Sequence, residues 1–95
     1  MAIRVLIERD IQPGQEIHVY RLLVNLRTAA MQAPGYISGE TLRAVDDPWK
    51  VLVISTWNSL EDWQSWQKNP VRTAIEAEIA QHLKHPQRVT AYIFA

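Results

Sequence analysis

The segment VLVISTWNS, residues 51–59, carries the clearest fold signal in this chain. Residues 51–57 are nearly all apolar and rich in β-branched side chains, which is typical of a strand covered on both faces. Asn58 or Ser59 can cap a following helix, because acidic residues follow three positions later, as in a capping box. The segment therefore predicts a buried strand that leads directly into a capped helix.

Three further strands are predicted on either side of this segment. Apolar residues occupy every second position from Ile3 to Ile7, which is the period of a strand. Residues 36–45 predict another strand, in which the internal Gly39 indicates a bulge or a close backbone approach. A turn at residues 46–48 follows this strand, and residues 89–94 predict the closing strand.

Two helical regions complete the pattern. Residues 15–32 predict an amphipathic helix, and Asn69-Pro70 predicts that the second helix is interrupted and restarted, because proline favours the first helical position. The apolar stripe of the first helix consists of Val19, Leu22, Leu23, Leu26 and Ala30. The predicted buried stripe of the last helical segment consists of Val71, Ala74, Ile75, Ile79 and Leu83. Glu76 and Glu78 are expected to be solvated.

The order strand-helix-strand-strand-helix-strand predicts an α+β, ferredoxin-like fold with an antiparallel sheet, as a single domain over residues 1–95. Both helices lie on one face of such a sheet. The other face is apolar here, and no spare helix remains to cover it. The sequence therefore predicts a face-to-face homodimer, since closed two-fold association is the commonest way to bury such a face.

Composition excludes several classes of function. The 95 residues carry a formal net charge of +0 and no cysteine. A neutral chain lacks the basic face of a nucleic-acid binder, and the absence of cysteine excludes disulfides and thiolate chemistry. The charged N-terminus is neither a signal peptide nor a membrane span, so a cytoplasmic location without membrane contact is expected. The histidines form no metal motif and the glycines no phosphate loop, so no cofactor is predicted.

Several segments of the chain resemble the antibiotic biosynthesis monooxygenase (ABM) domain family. The resemblance lies in residues 34–42, 46–48 and 53–59, and continues through Glu61-Asp62-Trp63 and Trp66 to Asn69-Pro70. It implies a dimeric α/β barrel, in agreement with the partner-sheet argument. The family includes cofactor-free oxygenases of polycyclic aromatics, haem-degrading monooxygenases, quinol oxygenases and proteins without known activity.

The resemblance does not extend to the residues of the haem degraders. Those enzymes use an asparagine on the first strand, a tryptophan on the second helix and an axial histidine ten residues beyond the tryptophan. Trp66 matches the tryptophan here, but Glu76 stands at the histidine position and Ile7 at the asparagine position. Haem degradation is therefore not predicted.

Trp57 and Trp66 are the candidate substrate-binding residues, because large aromatic side chains can enclose a planar substrate. The alternative, which the sequence favours, is that both belong to the core. No catalytic residue is assigned. His18, Tyr36 and Tyr92 are the candidates for an acid-base group, while Arg4, Glu8 and Arg9 on the first strand are candidates to orient a polar group of a substrate.

Two functions remain open from the sequence. The first is a cofactor-independent monooxygenase-like enzyme that acts on a small aromatic or quinol substrate between sheet and helices. The second is a non-catalytic small-molecule-binding or dimerisation module on the same fold, since fold does not imply function. A well-formed cavity with convergent polar groups favours the enzyme, and a cavity filled by side chains favours the module.

Overall fold

The computed structural model describes all 95 residues, as four strands and three helices. The elements are β1 (Ile3–Asp10), α1 (Glu16–Ala30), β2 (Tyr36–Ala44), β3 (Asp47–Trp57), α2 (Leu60–Gln67), α3 (Pro70–Ala80) and β4 (Arg88–Ile93). The strands form one antiparallel sheet in the order β2-β3-β1-β4. This confirms the predicted ferredoxin-like α+β fold, with the second helical region divided in two.

Strand β1 lies in the centre of the sheet and alternates strictly between its two faces. Ile3, Val5, Ile7 and Arg9 are all buried beneath the helices. The apolar members form the floor of the core, because side chains in a strand alternate with a period of two. Arg9 continues the same inward series and is the most buried charged residue of the chain, at 1% exposure.

The hairpin between β2 and β3 is tighter than the sequence predicted. The predicted turn at 46–48 begins one residue and ends two residues too late, because Ala44 pairs with Asp47 and only Val45 and Asp46 form the turn. Strand β3 therefore begins at Asp47 and includes Pro48, a residue that sheets tolerate at the start of a strand.

Two capping residues set the starts of the helices after β3. The Ser59 hydroxyl accepts a hydrogen bond from the backbone N–H of Asp62 at 3.1 Å, and the Asn69 side chain accepts one from Val71 N–H at 2.8 Å. Each such cap stabilises a helix start by about 1 kcal/mol. Pro70 occupies the first turn of α3, where its missing N–H has no helical partner to lose. The predicted interruption at Asn69-Pro70 is present.

Helix α3 does not bury the face that the sequence predicted. Val71 is 53% exposed and Ala74 is also exposed, whereas Arg72 and Ile79 are buried. The predicted stripe is correct only toward its C-terminal end. Arg72 takes the inward position near the start of α3 because it forms an ion pair with Glu76, as described below.

The core between sheet and helices consists of two neighbouring clusters. One contains three tryptophans and the buried apolar residues of β1. The other packs α1 and α3 against the sheet around Ile11 and Val51. The first cluster is Ile3, Val5, Ile7, Ala30, Trp57, Trp63 and Trp66. The second is Ile11, Val19, Leu22, Leu23, Val51, Ile79 and Leu83. The predicted apolar stripe of α1 thus packs inward.

The opposite face of the sheet carries no helix. Leu6, Leu52 and Ile54 are partly exposed there, and Leu42 and Tyr92 are 44% and 51% exposed. We call these five residues the open face. Edge strand β4 is exposed along most of its length. No helix is long and apolar enough to cross a lipid bilayer.

Candidate ligand-binding site

A small cavity lies between the sheet and the helices, with a volume of about 50 Å³. Its walls are mostly apolar and aromatic, and a few polar groups converge at one end. The aromatic lining residues are Tyr36, Trp57, Trp63 and Trp66. Exposed Arg27 on α1 and Thr41 on β2 also line the cavity, so it opens between these two elements. An apolar enclosure with few polar groups is the usual character of a small-molecule site.

The tryptophan wall is closely packed. The ring centroids of Trp57 and Trp66 lie 6.1 Å apart with 24° between their planes, and Trp63 lies 5.8 Å from Trp57. The Trp57 indole N–H donates to the Ser55 hydroxyl at 3.0 Å, which satisfies it inside the core. Trp57 and Trp66 are only 1% and 5% exposed. They are core residues that also line the cavity, so the two alternatives drawn from the sequence are not exclusive.

Tyr36 forms the side of the cavity opposite the helices. Its ring meets Trp57 edge-to-face at 5.4 Å between centroids. Its hydroxyl lies over Gly39, where a Cβ atom would approach the hydroxyl oxygen to 2.5 Å. Gly39 therefore allows a close approach, which was one of the two expectations for it, while the register shift in β2 falls at residues 36–38.

A charged cluster closes the polar end of the cavity. Arg9 donates to Glu76 Oε1 at 2.7 Å and to Gln87 Oε1 at 2.7 Å. Arg72 donates to Glu76 Oε2 at 2.8 Å, and the Gln87 amide donates to the same oxygen at 2.9 Å. The expectation that Glu76 is solvated is wrong: its side chain is 12% exposed. Four side chains from β1, α3 and the segment before β4 thus hold one another in place.

The cluster leaves part of its donor capacity unused. Arg9 Nη1 is buried and has no hydrogen-bond partner. The Arg72 guanidinium carbon lies 5.3 Å from the centre of the Trp63 ring, a cation–π distance. Burial lowers the pKa of Arg72, neighbouring Glu76 raises it and Arg9 lowers it further.

The other predicted site residues lie outside the cavity. His18 is exposed on α1 and packs against His82, with 4.4 Å between ring centroids. Tyr92 belongs to the open face. Arg4 and Glu8 lie on the same side of the sheet, because Arg4 pairs with Tyr92 and Glu8 pairs with Leu52. Of the candidate acid-base and orienting groups, only Tyr36 and Arg9 reach the cavity.

A larger depression of about 420 Å³ lies at the other end of the sheet. Its lining is largely polar and carries both signs of charge, for example Glu8, Lys50 and Arg88. Asp10 pairs with His85 at 2.7 Å near the surface in the same place. A groove lined mainly by polar and charged side chains lacks the apolar lining of a small-molecule site. The smaller cavity is therefore the better candidate.

The residues around the cavity do not fit haem. Glu76, at the position of the axial histidine, has both oxygens engaged by Arg9, Arg72 and Gln87. Ile7, at the position of the asparagine, is a core residue with 5% exposure. No group of three or more histidine and carboxylate side chains is arranged to hold a metal ion.

Comparison with known proteins identifies the family. The model of the antibiotic biosynthesis monooxygenase family matches residues 2–78, which is most of the chain. This protein therefore belongs to the antibiotic biosynthesis monooxygenase family. No curated protein sequence matches it.

Solved structures share the fold at low sequence identity. A conserved protein from Methanosarcina mazei Go1 superposes with a TM-score of 0.92 at 15% identity, covering 97% of this chain and 91% of that one. Rv0793 from Mycobacterium tuberculosis gives 0.91 at 16% identity, with 100% and 96% coverage. SnoaB, a cofactor-independent oxygenase from Streptomyces nogalater, gives 0.91 at 10% identity, with 99% and 93% coverage. At these identities the likeness establishes the fold alone.

Proposed function

We propose that this protein is a cofactor-independent monooxygenase that acts on a small aromatic or quinol substrate in the cavity between sheet and helices. The observation that carries the proposal is the pairing of an aromatic wall with a buried polar end in one enclosure. Family membership and the shared fold of a cofactor-independent oxygenase support the same class of reaction.

The reaction has a simple balance when the substrate itself is the reductant. An activated methylene or a quinol ring loses two hydrogen atoms and gains one oxygen atom from O₂. The second oxygen atom leaves as water, and all four electrons come from the substrate. Such a substrate reacts with O₂ most readily after it has lost a proton, so the site must bind, deprotonate and shield it.

Residues of the cavity match these tasks. Trp57 and Trp66 provide a rigid apolar surface against which a planar ring can lie. Since the two rings pack on each other at 6.1 Å, the ligand lies against this pair and not between its members. Tyr36 is the candidate acid-base group that lines the cavity, and its ring contacts Trp57 edge-to-face.

The alternative is a non-catalytic small-molecule-binding module on the same fold. The volume of the cavity favours it. An engineered cavity of about 150 Å³ is known to accept benzene, whereas the volume here is about 50 Å³. A ring can enter only if the exposed side chains at the opening, such as Arg27, move aside.

Oxygen consumption distinguishes the two functions. A panel of anthrones and hydroquinones is incubated with the purified protein, and O₂ uptake is compared with the amount of oxidised product. The enzyme is expected to consume one O₂ for each product molecule. Tyr36→Phe should lower the rate by about 10²-fold or more, whereas Tyr92→Phe, which removes a hydroxyl on the open face, should not. Binding of panel members without O₂ uptake would favour the module.

We also infer that two copies associate through the open face. Leu6, Leu42, Leu52, Ile54 and Tyr92 form an apolar patch that no helix covers, on a face that also carries Arg4 and Glu8. Surfaces of this kind commonly mark interaction sites. A second sheet placed face-to-face buries the same residues in both copies, as a two-fold interface requires.

A further inference from the structure

The charged end of the cavity carries an excess of positive charge. Two guanidinium groups, of Arg9 and Arg72, share a single carboxylate, that of Glu76. The fourth member, Gln87, is neutral. A buried cluster with one uncompensated charge is costly, because each ion has lost its hydration. The excess indicates that a further anion belongs here when the site is in use.

The residues that line the cavity indicate where that anion would lie. Arg9 and Arg72 line the cavity, whereas their partners Glu76 and Gln87 do not. Arg9 is 1% exposed, and its Nη1 is buried without a partner. Two of the three Arg9 nitrogens are held by Gln87 and Glu76. The third is therefore fixed in position and has its donor capacity free.

We propose that the cavity binds its planar ligand as an anion, with a phenolate, enolate or carboxylate oxygen accepting from Arg9 Nη1 and the ring lying against Trp57 and Trp66. This inference rests on the proposed function and deepens it, because it names the class of substrate as acidic aromatic compounds.

The arrangement suits activation as well as binding. A guanidinium is always charged, so it lowers the pKa of a phenol or enol placed beside it. The effect is large in a cavity walled by tryptophans, where charges are poorly screened. Arg9 thereby stabilises the deprotonated substrate, which is the form that donates electrons to O₂.

Binding of matched probes tests the proposal without turnover. Benzoate and benzamide have nearly the same shape and differ in charge. Calorimetry of the two therefore measures how much the negative charge adds to the binding affinity. Benzoate is expected to bind at least about tenfold more tightly, because a charge-assisted hydrogen bond replaces a neutral one. In a second arm 4-nitrophenol, whose phenolate is yellow, should become more ionised on binding. The first arm reports a carboxylate and the second a phenolate.

Three variants separate an anion site from a purely structural ion cluster. Arg9→Met should abolish the preference for benzoate. Glu76→Gln should increase it, because both arginines then lack an anionic partner. Arg88→Gln, which changes the net charge equally at an exposed position outside the cavity, should leave it unchanged. If Arg9→Met fails to fold, as judged by circular dichroism, the Glu76→Gln comparison still decides.

The outcomes are distinct from those of the oxygenase assay. Equal affinity for benzoate and benzamide, together with no ionisation of 4-nitrophenol, would overturn the anion site even if O₂ uptake is found. Selective binding of either anion that responds to Glu76→Gln supports it even if no panel member is oxidised, in which case the proposed oxygenase function alone fails.

Discussion

The indole rings of Trp57 and Trp66 stack at 6.1 Å between centroids and 24° between planes, one at the end of a strand and the other on the helix that follows. This distance lies within the range of aromatic pairs in direct contact, about 4.5–7 Å. The pair therefore fixes α2 against β3 and forms the cavity wall at the same time.

Replacement of Trp66 tests how much of this wall is structural. Because only 5% of Trp66 is exposed, Trp66→Ala is expected to lower the free energy of unfolding by about 3–5 kcal/mol. Denaturant unfolding at equal protein concentration measures this cost. Trp66→Phe keeps an aromatic ring and should lose less. A loss of only about 1–2 kcal/mol for the alanine variant would show that Trp66 packs mainly against ligand or solvent.

Gly39 and Tyr36 are expected to be energetically coupled. Gly39→Ala places a methyl group 2.5 Å from the Tyr36 hydroxyl, so it should push the ring off Trp57 and cost about 1 kcal/mol. In a Tyr36→Phe background the obstructing oxygen is gone. Alanine there should be neutral or stabilising by about 0.5 kcal/mol, since glycine weakens a strand.

A double-mutant cycle from chemical denaturation measures this coupling. Additive effects of the two substitutions would contradict the contact between the Tyr36 hydroxyl and Gly39.

The dimer prediction concerns the open face. Sedimentation at micromolar concentration should give about twice the chain mass of 11.0 kDa. Leu42→Glu should shift the protein toward monomer, because a buried unpaired carboxylate is unfavourable. Val45→Glu is the matched control, since Val45 is fully exposed in the hairpin turn. A folded monomer in the unmodified protein would refute the association.

Haem is not expected to bind through a histidine ligand. Titration should give no histidine-ligated Soret band and no ring opening with a reductant, because Glu76 is held by two arginines and Ile7 replaces the asparagine. A His82→Ala variant controls for contact with the surface histidines. Stoichiometric binding that depends on a histidine would show that the residue correspondence drawn from the sequence is incorrect.

Local signals explain why so much of the fold was predictable. The caps at Ser59 and Asn69 and the proline at position 70 act within one turn of helix, so their effect can be read from neighbouring residues. The sequence also indicates the inward position of Arg9, because Arg9 continues the alternating series of Ile3, Val5 and Ile7 along β1.

The charged end of the cavity was not predictable in the same way. Arg72 and Glu76 have the spacing of an ordinary exposed helix pair. They are buried because Arg9, 67 residues from Glu76 in the chain, meets them across the core. A contact at that separation depends on the whole topology. No pattern within α3 distinguishes it from a solvated pair, and this is why Val71 and Ala74 were expected to face inward instead.

The break at Asn69-Pro70 makes the site modular. Trp63 and Trp66 belong to α2, and Arg72 belongs to α3. A continuous helix would tie the tilt of the aromatic wall to that of the charged end through one unbroken hydrogen-bond ladder, whereas the ladder stops at the proline. Engineering can therefore reshape one part at a time. Trp66 can be resized to admit a larger ring, while the arginine cluster, anchored by Arg9 on the sheet, keeps its geometry. Trp63 must then be retained, because its ring contacts Arg72.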